Sequence, residues 1–247
     1  MSIHVAVSGA RGRLGSLVCE VVESHPAFAL GAQLSSASGP DAGSDEAVLV
    51  DVSHPEASPQ IVERALRRGQ RVIVGTSGWS AERLARLQAV VDETPGSAVL
   101  VVPTFSLGSV IGTVLAQIAA PYFHSVEIVE AHHPAKVDSP SGTAVRTAEL
   151  IAEARGDEPI DTPFAEQPAR GQLISGVSVH SLRLAGVVAR QEVRFGGAGE
   201  VLTISHDTHS NDAYRAGIRA ALEAIGDLQG LVVGLETVLG VTAKSRG

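Results

Sequence analysis

The residues best suited to chemistry crowd into one stretch, Glu130-Ala131-His132-His133-Pro134-Ala135-Lys136-Val137-Asp138-Ser139-Pro140-Ser141-Gly142-Thr143. A histidine exchanges a proton near neutral pH, so an imidazole here suits general acid–base work. Lys136 adds a positive charge on a flexible stem. Ser141-Gly142-Thr143, where the pattern predicts a helix start, offers hydroxyls and free backbone amides to an anion. Together these suit a small carboxylate whose reaction needs a proton. Singly, each has a bland reading: Ser141 as a helix cap, His132 packed in a sheet, Lys136 solvated. Their closeness in one loop favours a site.

A metal centre is not expected. Adjacent strand residues face opposite ways, so His132 and His133 are badly placed to share one ion, and no cysteine stands nearby to complete a zinc set.

A second motif, Gly9-Ala10-Arg11-Gly12-Arg13-Leu14-Gly15, lies between a predicted strand and a predicted helix. There, backbone amides and the positive helix terminus can hold a pyrophosphate, and glycines keep side chains out of its way. The spacing is Gly-x-x-Gly-x-x-Gly, so the pattern gains its weight from its place after the first strand. An ordinary tight turn is the alternative. The second strand ends Gln33-Leu34-Ser35-Ser36, without the acid that usually contacts the adenosine ribose. Ser35, Ser36, Arg11 and Arg13 could instead donate to a 2′-phosphate, which leans the expectation toward NADPH, or toward use of both NADPH and NADH. For the two arginines, solvated surface charge is the competing reading. Gly75-Thr76-Ser77-Gly78 and Pro103-Thr104-Phe105-Ser106 follow later strands, at the carboxyl edge where open α/β sheets bind ligands.

These motifs need a scaffold. Ile3 to Val7, Ala29 to Leu34, Val48 to Val52, Arg71 to Val74 and Ala98 to Val102 read as strands. Leu14 to Ser24, Pro59 to Arg68 and Ala81 to Asp92 carry helical apolar spacing, with Ser58 and Ser80 as candidate N-caps. This alternation predicts a Rossmann-like parallel sheet. Beyond it come an apolar helix from Val110 to Phe123, a strand from Val126 to His132 and a helix from Gly142 to Ala154. Arg155 to Gly171 reads as an exposed connection. Val177 to Leu184, Arg190 to Phe195 and Val201 to His206 read as strands of a mixed, largely antiparallel sheet, and Asp212 to Ile225 as a final helix. The expected division is a dinucleotide-binding domain of residues 1–105 and 213–247 around a central α+β domain of residues 106–212.

Composition fits a folded chain: 247 residues, 44% of them hydrophobic, can bury a substantial core. The net charge of −8, without a Lys/Arg-rich block, argues against nucleic acid as a partner. Cys19 is the single cysteine, and its apolar neighbours suggest a packed helix position. The chain opens directly on strand-like sequence without a signal-peptide pattern, and no apolar run is long enough to span a bilayer; a cytoplasmic protein without membrane contact is expected.

The segment from Glu130 to Ala144 resembles the signature of bacterial 4-hydroxy-tetrahydrodipicolinate (dihydrodipicolinate) reductases, Glu-x-His-His-x-x-Lys-x-Asp-x-Pro-Ser-Gly-Thr-Ala, and matches every fixed position. The resemblance extends through the glycine loop, Gly75 to Gly78, Phe105-Ser106, and Arg183-x-x-Gly186 through Gly199-Glu200 to His206. It implies that His132 handles the proton, that Lys136 is a second catalytic group and carboxylate partner, and that His133 with Gly142 and Thr143 binds substrate. It also implies NAD(P)H-dependent reduction of a small cyclic dicarboxylate, hinge closure and a homotetramer. Ser35, Thr104, Ala135 and Asn211 stand where the family often has other residues. Two other readings are a reductase of another cyclic imino acid and a non-catalytic dinucleotide-binding sensor; a sensor has no need of a His, a Lys and an anion-binding helix start in one loop.

Overall fold

A computed structural model describes residues 2–39 and 41–242. In chain order the elements are β1 (Ile3–Ser8), α1 (Arg13–Glu23), β2 (Phe28–Leu34), β3 (Val48–Asp51), α2 (Ser58–Arg67), β4 (Arg71–Val74), α3 (Ala81–Asp92) and β5 (Ala98–Val101). There follow α4 (Leu107–Ala119), β6 (Ser125–His132), α5 (Gly142–Arg155), β7 (Gln172–Ile174), β8 (Val177–Arg183), β9 (Ala189–Gly197) and β10 (Glu200–Thr208). The chain ends with α6 (Arg215–Ile225), β11 (Gly230–Val233) and α7 (Leu235–Leu239).

These elements form two compact units. The first comprises the chain up to Ser106 together with Asn211–Gly240, and the second is built on Leu107–Ser210. The expected nucleotide-domain segment 213–247 runs to residues 243–247, which lie outside the described residues, as do Met1 and Pro40.

The first unit holds a six-stranded sheet in the order β11-β5-β4-β3-β1-β2. All of its pairings are parallel. A parallel sheet is covered on both faces, which is why β3 and β5 are buried at every position, Asp51 included. Each helix buries one stripe, such as Leu17, Val18, Val21 and Val22 of α1 or Val62, Ala65 and Leu66 of α2. From β1 the chain turns to β2 on one side, and β3 lies on the other. That reversal makes the end of β1 a switch point, where such sheets open a crevice for ligand.

The second unit is a five-stranded mixed sheet in the order β10-β9-β6-β8-β7, in which only β6 and β8 run parallel. Its core packs Val126 and Ile128 of β6 with Val179, Val193 and Phe195, under Ala144, Ala148 and Ile151 of α5. Each fully buried aliphatic contributes about 1.5–3 kcal/mol.

Two readings of local chemistry differ from expectation. Ser80 caps α3 by accepting from the Arg83 amide, but Ser58 is no cap. It begins α2 after Ala57, and its hydroxyl donates to the buried Asp51 carboxylate at 2.5 Å. The helix expected over Val110 to Phe123 begins at Leu107, and α4 ends at Ala119 before a 3₁₀ turn that contains Pro121.

Candidate active site

In the second unit, β6 carries Glu130 and His132 on one face, two residues apart. Glu130 lies in the row of Val126 and Ile128 and is 0% exposed. Its Oε2 is 2.6 Å from Nδ1 of His132. Arg183, at the end of the neighbouring β8, donates from Nη1 to both carboxylate oxygens at 3.1 and 3.0 Å, and from Nη2 to Oε1 at 3.1 Å. The register pairs His132 with Arg183, so the sheet itself brings the guanidinium to this carboxylate. Burial by itself would raise the Glu130 carboxyl, but the bonds from His132 and Arg183 outweigh it and hold the group at about 2, against an ordinary 4.5.

The loop that leaves β6 is tied back to the same group. The Ser141 amide donates to Glu130 Oε1 at 3.2 Å, and Arg183 Nη2 donates to the Asp138 carbonyl at 2.6 Å. Between these ties the chain turns at His133, whose carbonyl accepts from the Lys136 amide at 3.1 Å. Lys136 is not a freely solvated charge: its Nζ lies 2.8 Å from Asp138 Oδ1, with 20% of the side chain exposed. Burial would raise the Asp138 carboxyl, and the Lys136 ammonium more than offsets that, leaving it below its usual range.

Ser141 caps α5, its Oγ accepting from the Ala144 amide at 3.2 Å while the residue is 2% exposed. The cap uses one lone pair of the hydroxyl oxygen, and the O–H remains able to donate. Gly142 is exposed, and a Cβ there would meet nothing within 4 Å, so the first turn of α5 is open to an approaching anion. The structure therefore brings His132, His133, Lys136, Gly142 and Thr143 into one loop and helix start, with Glu130 and Arg183 as its frame.

In the first unit the glycine loop has the geometry of a phosphate cradle. Gly9 has φ +82°, and a Cβ there would lie 2.4 Å from the Val52 carbonyl oxygen; one on Gly15 would lie 2.0 Å from the Gly9 carbonyl oxygen. A side chain at either position would collide with backbone, so the two glycines let the loop pack closely against the end of β3 and the start of α1. No side chain caps α1, and no acidic residue sits in its first turn, so nothing there would oppose an anion at the positive helix end. Ala10 and Gly15 are buried, Leu14 is partly covered, and Arg11, Gly12 and Arg13 are exposed.

Asp51, at the end of β3, organises the strand ends beside this loop. It is 0% exposed and accepts from Ser53 at 2.6 Å, Ser58 at 2.5 Å and Thr76 at 3.0 Å. Gly75 is required because a Cβ there would lie 2.4 Å from the Phe105 ring. Phe105 is itself 3% exposed, so its side chain belongs to the core. Thr104 Oγ1 accepts from the Ser106 amide at 3.2 Å, while Pro103 and Ser77 lie at the surface. A cavity of about 210 Å³ opens beside the end of β2, lined by Ser35, Ser36, Ser38, Arg64, Arg68 and Gln70. Sequence reasoning missed Arg64 and Arg68; their spacing of four, on α2 and at its C-cap, was the available signal. Arg68 also pairs with Asp41. Arg11 and Arg13 do not line this cavity.

Among the described residues, no group of three or more His, Cys, Asp or Glu side chains is arranged to hold a metal ion, and no helix is long and apolar enough to cross a membrane.

Comparison with known proteins reaches over nearly the whole chain. Residues 3–105 match the family described as dihydrodipicolinate reductase, N-terminus, and residues 108–239 match its C-terminus. A 4-hydroxy-tetrahydrodipicolinate reductase of Clavibacter sepedonicus is 48% identical over 97% of this chain and 87% of its own length. One from Streptomyces coelicolor is 44% identical over 96% of this chain and 98% of its own. The solved dihydrodipicolinate reductase of Paenisporosarcina sp. TG-14, with dipicolinate bound, superposes with a TM-score of 0.76 at 30% identity, covering 96% of this chain and 99% of that one. A parallel sheet with a glycine cradle at its switch point and a second sheet ending in the His-His-Lys loop, matched over both halves, place this chain in the dihydrodipicolinate reductase family.

Proposed function

We propose that this chain reduces 4-hydroxy-tetrahydrodipicolinate to tetrahydrodipicolinate with NAD(P)H, as a step of lysine and diaminopimelate biosynthesis. The observation that carries the reading is the loop from His132 to Thr143, where a proton-handling imidazole, an ammonium and an open helix start are held on one frame.

Gly9 to Gly15 hold the pyrophosphate of the nicotinamide dinucleotide, with the chain at Gly75, Thr76, Ser77, Pro103, Thr104 and Phe105 along the same strand ends. When bound, the cofactor supplies a hydride, which adds at ring carbon 4 as the hydroxyl departs as water; one proton is taken up in the balance. His132 handles that proton. Lys136 and the first amides of α5 at Gly142 and Thr143 grip the ring carboxylates, and His133 completes the substrate contacts. Water is the leaving species, so no metal is needed to stabilise an oxyanion. Support for a planar diacid comes from the relative solved with dipicolinate.

The cofactor reading favours NADPH, or use of both nucleotides. No acid ends β2, and Ser35 and Ser36 share their cavity with Arg64 and Arg68, a setting that accepts a 2′-phosphate. We also read the protein as a cytoplasmic homotetramer; Val201 at 70% and Leu202 at 37% exposure, on the edge strand β10, are consistent with a subunit contact there. The test is direct: freshly prepared product of the synthase reaction, mixed with the purified chain, should cause oxidation of NADPH, and inert mixtures would reject the reading.

A further inference from the structure

We propose that Glu130 is a positioning residue for the acid–base step: it fixes His132 with the proton on Nδ1, so that Nε2 is the atom that exchanges a proton with the substrate, and it couples that ring to the anion-binding start of α5. The inference rests on the reading of His132 as the proton-handling group.

A carboxylate in this place is costly. Glu130 occupies a core row with Val126 and Ile128 and has no exposed surface. A buried ion pair of this kind can often be replaced by aliphatic side chains without loss of stability, so packing does not explain why a charge stands here. Its bonds do. An ionised carboxylate can only accept, so the 2.6 Å contact to Nδ1 of His132 requires the proton on that nitrogen. The lone pair of the neutral ring is then on Nε2, the atom left to face the substrate.

The other bonds extend this control. Arg183 takes both carboxylate oxygens, which balances the charge and prevents Glu130 from turning away from the ring. Glu130 Oε1 also accepts from the Ser141 amide, the residue that caps α5. One carboxylate therefore sets the imidazole and the first turn of the helix in a fixed relation. A substrate gripped by that turn meets Nε2 in register without any direct contact to Glu130.

The test uses the full chain. The imidazole nitrogens are isotope-labelled and read by NMR, with H132N to assign the His132 signals. The neutral His132 ring in the wild type should show a protonated Nδ1 and an unprotonated Nε2; the opposite tautomer would overturn the proposal. In E130Q a single carbonyl cannot serve His132, Arg183 and Ser141 together. That variant should lose the single tautomer, and kcat should fall about 10- to 100-fold with dinucleotide affinity unchanged. Wild-type kcat in a folded E130Q would also overturn it. If E130Q does not fold, the wild-type tautomer still decides. The tautomer is read without substrate, so a wild type that turns over nothing would reject the reductase reading and leave the decision on Glu130 to the NMR result.

Discussion

Lys136 Nζ is 2.8 Å from Oδ1 of Asp138, two residues further along the same loop, so the ammonium assigned to a substrate carboxylate already has an internal carboxylate beside it. The two anions compete for one cation. In D138N a diacid probe such as dipicolinate should bind about two- to fivefold more tightly, because a partly exposed pair of this kind is worth up to about 1 kcal/mol. K136M should weaken the same probe about tenfold or more, the effect of losing a charge-assisted bond. Calorimetric titration of both variants checks the pair, and weaker binding in D138N would show that Asp138 assists the lysine rather than competing for it.

The glycine loop predicts a graded response. A Cβ at Gly15 would sit 2.0 Å from the Gly9 carbonyl oxygen, which is backbone and cannot step aside. At Gly12 the same oxygen would be 3.2 Å away, a contact that a small shift relieves. G15A should therefore raise the dissociation constant for the nicotinamide dinucleotide at least about tenfold, an energy of roughly 1.4 kcal/mol, and G12A should change it much less. Fluorescence titration of the reduced cofactor reads both. Equal effects would mean that the loop is not held by that close approach.

Glu130 also predicts an acid limb in stability. Its carboxyl is held at about 2, below the ordinary 4.5. A depressed carboxyl stabilises the fold fully above its unfolded value and loses that contribution as the pH falls toward the folded one. The loss is on the order of 2 kcal/mol between about pH 5 and about pH 3. Urea unfolding at the two pH values should show it in the wild type and show a shallower dependence in E130Q. An unchanged pH slope in E130Q would mean that Glu130 does not carry this term.

Arg64 lines the cavity beside Ser35 and Ser36. If that cavity takes the 2′-phosphate, R64A should weaken NADPH by about tenfold, the value of one charge-assisted bond, and leave NADH little changed. Comparison of the two dissociation constants in the wild type and in R64A is the measurement. An equal loss for both nucleotides would place Arg64 outside phosphate recognition.

Much of this was legible in sequence because period and punctuation agreed. The parallel strands read as short β-branched runs, and the glycine loop fell where a strand hands over to a helix. The elements that escaped were short. β7 has three residues, and its turn to β8 is Ser175-Gly176, both at positive φ, a two-residue hairpin turn without the usual Asn-Gly signal. β11 has only four residues, too few for periodicity, and it is placed by pairing with β5.

At the site, residue types gave His132 and Lys136 but not what holds them. Glu130 stood in the motif as one more polar residue until the sheet brought Arg183 beside it. Ser58 looked like a cap because serine precedes a helix there, and its actual partner, Asp51, is brought close only by the tertiary fold. A buried carboxylate among valines has no one-dimensional signature beyond being out of pattern. Arg64 was likewise visible only as helix surface charge, since the cavity it lines forms from four separate segments.

The central claim is that His132 manages the proton in a nicotinamide-dependent reduction, and steady-state turnover of the synthase product by the wild type and by H132A tests it most directly. Wild-type protein should oxidise NADPH on addition of that product. H132A should bind the dinucleotide normally with kcat lowered on the order of 10²- to 10⁴-fold, the range for loss of a general acid–base group. Undiminished turnover in H132A would contradict the account.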